Sequence, residues 1–259
     1  MIKDLFYFLI FPGLVFSGII GGFFSWFDRK ITARVQFRQG PPLLQPLYDF
    51  VKLLLKETIL PKNGSPTTFI LAPVFALFGA VMVSVFILLP AMGIETGFNG
   101  DLIVIIYLLN IPSLMYIIGA MASGNPLASV GASREMKLIL SYEVPFLLVL
   151  LSIVIKSGMS IKLTEIIAVQ SQKGAFIGSV SGIIGFIVSS FLAAIFFSGL
   201  NVEGIHILWS FLKVLVVVLL ITLIRNTNPR VRIKQAMRFF WIWMNLLAIA
   251  SVVLAILGL

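Results

Sequence analysis

The sequence contains no cysteine and a single histidine, His206. Without thiolates the chain offers neither a disulfide nor cysteine ligands for zinc or an iron–sulfur cluster. One imidazole does not make a haem or multi-histidine metal site. Charge is scarce as well. Only 11% of the 259 residues are Asp, Glu, Lys or Arg, against about 25% in a soluble domain. Strict alternation of apolar and polar residues is missing, which argues against a membrane β-barrel. There is no low-complexity tract and no clear internal repeat, so an inverted-repeat transporter gains no support.

What remains is apolar length. Hydrophobic residues make up 59% of the chain, in runs of about 20, enough to cross a hydrocarbon core as helix. The reading is all-α: a polytopic transmembrane helical bundle with one interfacial amphipathic helix, a single domain over 1–259. Spans are expected near 5–27, 69–93, 102–121, 138–155, 175–198, 205–224 and 238–258. Internal Pro12, Pro73, Pro112 and Pro145 are tolerable, because neighbouring helices can satisfy freed backbone groups. The apolar run ending at Phe27 is too long for a signal peptide and reads as a retained helix.

The net charge of +9 is unevenly placed. Arg29, Lys30, Arg34, Arg38, Lys52, Lys56 and Lys62 follow the first span. Arg134 and Lys137 lie in 122–137, and Arg225, Arg230, Arg232 and Lys234 in 225–237. The 94–101 loop holds only Glu95 and Asp101. Such clustering reports membrane sidedness, not nucleic acid, and predicts that the three basic loops are cytoplasmic in a multi-pass protein of the cell membrane. One crossing per span then puts 225–237 on the wrong side. Parity breaks within 175–198, either because that segment enters and returns or because a span and a loop are missing there.

In 43–57, "LLQPLYDFVKLLLKE", the residues Leu44, Leu47, Tyr48, Val51, Leu54 and Leu55 share one helical face, while Gln45, Asp49, Lys52 and Lys56 share another. Too short and too charged to span, it reads as an amphipathic helix at the interface.

Glu143 is the first candidate for chemistry. It sits inside the apolar run "LILSYEVPFLLVLL", where a carboxylate is expensive unless neutral, paired or facing water. The plainer alternative is a carboxylate paired for folding alone. Glu135 and Arg134 stand at the mouth of the same helix, to extend an ion path, dock a partner, or simply be solvated. Lys213, inside 205–224, either pairs with a membrane acid such as Glu143 or snorkels to the interface. Glu203 and His206 read as surface residues near an interface. The Arg-rich stretch 29–38 is a topology determinant at least. Followed by the Gly40-Pro41-Pro42 turn and the amphipathic helix, it also offers guanidinium donors to carboxylates of a docked protein, with lipid headgroups as rival ligands.

Three blocks then carry a resemblance. "DRKITARVQFRQGPPLLQPLYDFVKLLLKE" resembles the first cytoplasmic loop of the complex I membrane subunit at the quinone-tunnel end of the membrane arm, and of its homologues in membrane-bound NiFe hydrogenases. "GASREMKLILSYEVPF" is similar to the loop and helix after the third span of that family, and "RNTNPRVRIKQAMRFFW" to its last cytoplasmic loop. The compact Gly40–Pro46 segment and "GASREM" lean toward the hydrogenase branch with its sulfur-reducing relatives.

The resemblance implies a non-catalytic subunit that docks a peripheral redox arm and helps couple electron transfer to H+ or Na+ translocation. It implies no cofactor in this chain; iron–sulfur clusters, and nickel in a NiFe centre, belong to partners. Those partners are a small iron–sulfur subunit, a large hydrogenase-like subunit and antiporter-like membrane subunits, together with the lipid bilayer and without nucleic acid. Docking falls to Arg29, Lys30, Arg34, Arg38, Asp49, Lys52, Arg134, Arg230 and Arg232, and the ion path to Glu143, Glu135 and Lys213. The competing readings are the quinone-site subunit of a complex I proper, a stand-alone transporter and a purely structural anchor. Members usually have eight spans and an acidic loop between the fifth and sixth. That loop is not found here, at the place where parity breaks.

Overall fold

The computed structural model of the chain describes residues 2–92, 94, 97–173, 176, 179–188, 206–227 and 232–258. Among these residues every regular element is helical. In chain order they are α1 (Ile2–Leu9), α2 (Leu14–Val35), α3 (Gln45–Leu54), α4 (Pro66–Ala91), α5 (Asp101–Ala122), α6 (Pro126–Lys156), α7 (Leu163–Lys173), α8 (Val180–Val188), α9 (His206–Thr227), α10 (Ile233–Arg238), a π-helical turn (Phe239–Met244) and α11 (Asn245–Ile256). Among the described residues five stretches are long and apolar enough to cross a membrane: Lys3–Val35, Pro66–Pro90, Asp101–Ala122, Pro126–Lys156 and Ile233–Ile256. Large apolar side chains such as Val74, Phe75, Leu77 and Phe78 point outward from the bundle, as they do when lipid is the solvent.

The first span is interrupted at 10–13, which divides α1 from α2. Pro12 has no N–H to continue a helix, and its carbonyl accepts from Ser84 Oγ at 2.8 Å instead. Only glycine fits at 13, since a Cβ there would stand 1.7 Å from the Phe8 carbonyl oxygen. A larger departure concerns 122–137, read from sequence as a loop. The link is only Ser123–Asn125, and the helix begins at Pro126. Asn125 caps it by accepting from the Leu127 N–H at 3.0 Å, and proline suits the first helical turn. Charge in this segment therefore did not mark a helix boundary.

α4 and α5 form an antiparallel hairpin. Its base is tied by the Ser65 N–H to the Ala122 carbonyl at 2.9 Å. α6 returns along α5, and the core of Leu102, Ile105, Ile106, Val149, Leu150, Ile153, Leu163 and Ile166 lies between them and α7. A smaller cluster, Ile117, Ala132 and Ile139, sits at the other end of the same pair. α11 runs parallel to α6, joined by Ser251 Oγ to Ser152 Oγ at 3.2 Å. α9 runs parallel to α2, with Phe211 against Phe23 and Phe24 and Thr222 bonded to Asp28 further along. The ends of α2, α5 and α9 and the starts of α4, α6 and α10 therefore share one end of the molecule, the end that carries Arg29, Arg34, Arg38, Arg134, Arg225 and Arg232. α8 begins at the opposite end, where Lys156 Nζ bonds Ser179 Oγ and Ser251 Oγ bonds the Ser181 carbonyl. α9 begins at that end too. The chain joining α8 to α9, where sequence parity broke, lies outside the described residues, with Glu203 in it.

Candidate functional site

Two features at the basic end bear on function. The first is the surface built by α2, α3 and the turn between them. Arg29 Nη1 bonds Asp49 Oδ2 at 2.8 Å, and Gln45 Nε2 bonds Asp49 Oδ1 at 3.0 Å. The Trp26 indole N–H donates to the Pro41 carbonyl at 3.1 Å. These contacts fasten the amphipathic helix to the bundle. Arg29 and Gln45 hold the Asp49 carboxyl below the usual carboxylate range. An exposed pair of this kind adds little stability; what it sets is position. The apolar residues Leu47, Tyr48, Phe50, Val51, Leu54 and Leu55 of this helix and its end are exposed.

One residue before Arg29 on α2, Asp28 accepts from Thr222 Oγ1 at 2.8 Å and from Arg225 Nη2 at 2.8 and 2.9 Å. Thr32 Oγ1 accepts from Asn226 Nδ2 at 3.0 Å. Arg34 and Arg38 are different. Both are exposed, and among the described residues neither meets a carboxylate. Between them Phe37 is 100% exposed with φ +57°. Lys52, Arg134 and Arg232 are exposed at the same end. Lys30 is half-buried and its stem lies against Gly40. Arg230 lies outside the described residues.

The second feature is a polar seam between α5 and α6. Glu135, Ile139 and Glu143 recur at four-residue spacing, which stacks them on one helix face. A cavity of about 370 Å³ opens between the helices, lined by Ser113, Tyr116, Ile117, Ala132, Glu135 and Ile139. Two turns deeper, Asn110 Nδ2 approaches Glu143 Oε1 at 3.5 Å. The half-buried carboxyl thus faces an amide across the seam, with the cavity and Glu135 toward the basic end. Tyr142, beside Glu143, meets Phe240 edge-on at 6.4 Å. Phe240 belongs to the π turn, where Asn245 Nδ2 caps the Trp241 carbonyl at 3.0 Å. The last basic loop thereby reaches the seam through one helix. Lys213 stands elsewhere, on α9, which packs along α2.

Sequence reasoning passed over two residues. Asp101, read as an outer-loop acid, is 2% exposed, and its Oδ1 accepts the Leu163 N–H at 2.8 Å, capping α7. Phe37 was unremarkable as one aromatic among 23 phenylalanines. Its only local signal is that it takes, three residues before Gly40, the backbone conformation that glycine normally fills.

Among the described residues there is no group of three or more His, Cys, Asp or Glu placed to hold a metal. The fold and this site define a multi-pass α-helical membrane protein with one charged end and a carboxyl-bearing seam leading inward from it. The NADH dehydrogenase family model matches residues 8–191 and 180–256, and the chain belongs to that family. An NADH-quinone oxidoreductase subunit of Dehalococcoides mccartyi is 28% identical over 306 residues, 96% of this chain and 84% of the relative. The corresponding subunit of Thermomicrobium roseum is 35% identical over 178 residues, 62% of this chain and 52% of the relative. In fold, the chain is similar to one in the membrane-bound sulfane sulfur reductase, an archaeal respiratory membrane complex. The TM-score is 0.77 at 23% identity, over 93% of this chain and 96% of the other. The protein is accordingly a multi-pass membrane member of the NADH dehydrogenase family. The two family matches overlap at 180–191. The 306-residue alignment uses 96% of a 259-residue chain, so more than fifty positions of that relative have no counterpart here.

Proposed function

We propose that this chain docks the peripheral redox arm of a hydrogenase-like or sulfur-reducing complex and helps couple its electron transfer to H+ or Na+ translocation. The observation that carries the docking role is the pair of exposed arginines, Arg34 and Arg38, without a carboxylate among the described residues. Guanidinium groups suit bidentate capture of carboxylates, and the natural source is the small iron–sulfur subunit, with the large subunit behind it. Lys52, Arg134 and Arg232 extend the same surface, and Arg230 belongs to the same basic loop. The basic end faces the cytoplasm in this reading, in keeping with the positive-inside rule.

Coupling rests on the seam. A carboxyl within a span is a functional hypothesis by default. Glu143 opposite Asn110, with Glu135 at a cavity on the docking side, forms a path from the arm into the membrane. Lys213 contributes a charge on α9. Glu143→Gln keeps the shape and removes the exchangeable proton. Ion movement per electron transferred, measured in proteoliposomes of the intact complex, should fall at least twofold while the complex stays assembled. An unchanged ratio leaves an anchor without an ion path. The overlap of the family matches at 180–191 supports a collapsed family span pair there, and an intact mass of 28.5 kDa for the purified chain would attribute it to the protein itself.

A second reading is the quinone-site subunit, favoured by the names of the relatives. Co-purification separates the two. A tagged chain in gently solubilised membranes should carry iron–sulfur proteins; nickel with hydrogen evolution marks the hydrogenase branch, and quinone-dependent turnover the alternative.

A further inference from the structure

α2 does not simply fray at its basic end. The Arg38 N–H bonds the Ala33 carbonyl at 2.8 Å and the Phe37 N–H bonds the Arg34 carbonyl at 3.1 Å. That pair of bonds is the Schellman closure, whose fifth residue adopts the left-handed conformation and is usually glycine. Here it is Phe37, at φ +57°. A β-carbon is disfavoured there, and a phenyl ring in water adds a second cost. Nothing among the described residues repays either, because the ring is 100% exposed. A strained, exposed aromatic points to a contact made outside the chain.

The surrounding geometry says where that contact lies. After Phe37 the chain turns back along α2. A β-carbon on Gly40 would touch Lys30 Cδ at 2.5 Å, and the Pro41 carbonyl reaches Trp26. α3 is fastened between these two levels, at Arg29. Phe37 is thus the summit of the turn. α2 continues as helix for residues 28–35 beyond its apolar stretch, about 12 Å at the helical rise. The amphipathic helix lies at the lower level, and the aromatic tip stands above it. Arg34 and Arg38 flank the tip on either side, exposed and without a carboxylate among the described residues.

We propose that Phe37 is the apolar anchor of the docking face, seated in an apolar socket with an acidic rim on a water-soluble subunit of the complex. The proposal rests on the docking reading above and deepens it. A buried aromatic centre ringed by charged contacts is the pattern by which small interfaces concentrate their affinity. The flanking guanidiniums set the register, and the ring holds the complex against dissociation.

The test uses the tagged chain in its native complex. Phe37→Gly places the preferred residue in the left-handed position. Thermal stability of the stripped subunit should hold or rise. Retention of the water-soluble redox subunits after a salt wash should fall about tenfold or more, and Phe37→Leu should give intermediate retention. Unchanged retention in Phe37→Gly, with loss in Arg34→Glu combined with Arg38→Glu, would overturn the anchor and leave docking standing. Unchanged retention in both would remove the docking reading as well. A stripped subunit destabilised by Phe37→Gly would assign the ring to the fold and end the proposal.

A second measurement separates protein from lipid. The sequence has no cysteine, so Gln39→Cys provides one thiol in this chain beside the tip. In membranes stripped of water-soluble subunits, a membrane-impermeant maleimide should label it, and the assembled complex should protect it. No labelling in stripped membranes places the tip in lipid. Equal labelling with and without the subunits denies a socket. Either result overturns the proposal.

Discussion

Asp28 and Arg29 lie five to ten residues before Arg34 and Arg38 in one basic stretch, and they have opposite fates. The first two are engaged within the chain, Asp28 by Thr222 and Arg225 and Arg29 by Asp49. The last two find no carboxylate among the described residues and flank an exposed ring. The inner pair assembles the subunit by pinning α9 and α3 to α2. The outer pair presents donors beyond the level at which those helices are fixed. The lesson is that one basic sequence cluster is divided by height above the bundle into a half engaged within the fold and a half left exposed.

Charge reversal of the outer half gives the largest effect. Arg34→Glu with Arg38→Glu should release the peripheral subunits from salt-washed membranes by about tenfold or more, while the isolated subunit keeps its thermal stability, since neither arginine meets a carboxylate among the described residues. Retention of redox activity on the membrane measures it, and full retention would erase the distinction between the halves. The inner half should answer the other way. Asp28→Ala strands Thr222 and Arg225 and should destabilise the subunit by about 1–2 kcal/mol. That is a lowering of the unfolding midpoint by a few degrees, with docking intact at temperatures where the fold survives. A stability unchanged by Asp28→Ala would mean that α2 and α9 are held by Phe23, Phe24 and Phe211 alone.

The smallest effect is one of pH. Arg29 holds the Asp49 carboxyl below its ordinary value, so the pair's contribution is present above the unfolded carboxyl pKa of about 3.9 and is lost as pH falls through the depressed folded value. Attachment of α3, followed by the fluorescence of Trp26 in a variant whose other tryptophans are phenylalanine, should be flat from pH 5 to 8 on the order of measurement error and should loosen only in acid. Asp49→Asn should abolish the acid transition. A transition near neutrality would assign the anchoring of α3 to another group.

Much of the architecture is legible in the chain. Apolar runs announce spanning helices because burial of a single helix in lipid is a local matter of length and hydropathy. The three motif blocks carry the family, and the match over 8–191 and 180–256 agrees with it. Periodicity in 43–57 finds the amphipathic helix that the structure bounds at Gln45–Leu54. Helix ends were less legible. Asn125 and Pro126 start α6 well before its apolar stretch, because a cap answers to two or three residues and not to the membrane. Of the site, Glu143 was visible as a carboxylate in apolar surroundings, but its neighbour Asn110, 33 positions away, was not. Nor was Phe37 visible, since its meaning is a backbone angle and an exposure.

By itself the sequence determined that this is an all-helical membrane protein with its cations gathered on a few segments, because hydropathy, charge and helical periodicity are properties of short stretches. Tertiary structure decided which of those cations are taken. Arg29 meets Asp49 across 20 positions and Arg225 meets Asp28 across 197, and such pairs exist only after helices pack. It also decided that Arg34, Phe37 and Arg38 stand clear, since the chain turns back along α2 and leaves them at the summit, where neither arginine meets a carboxylate among the described residues.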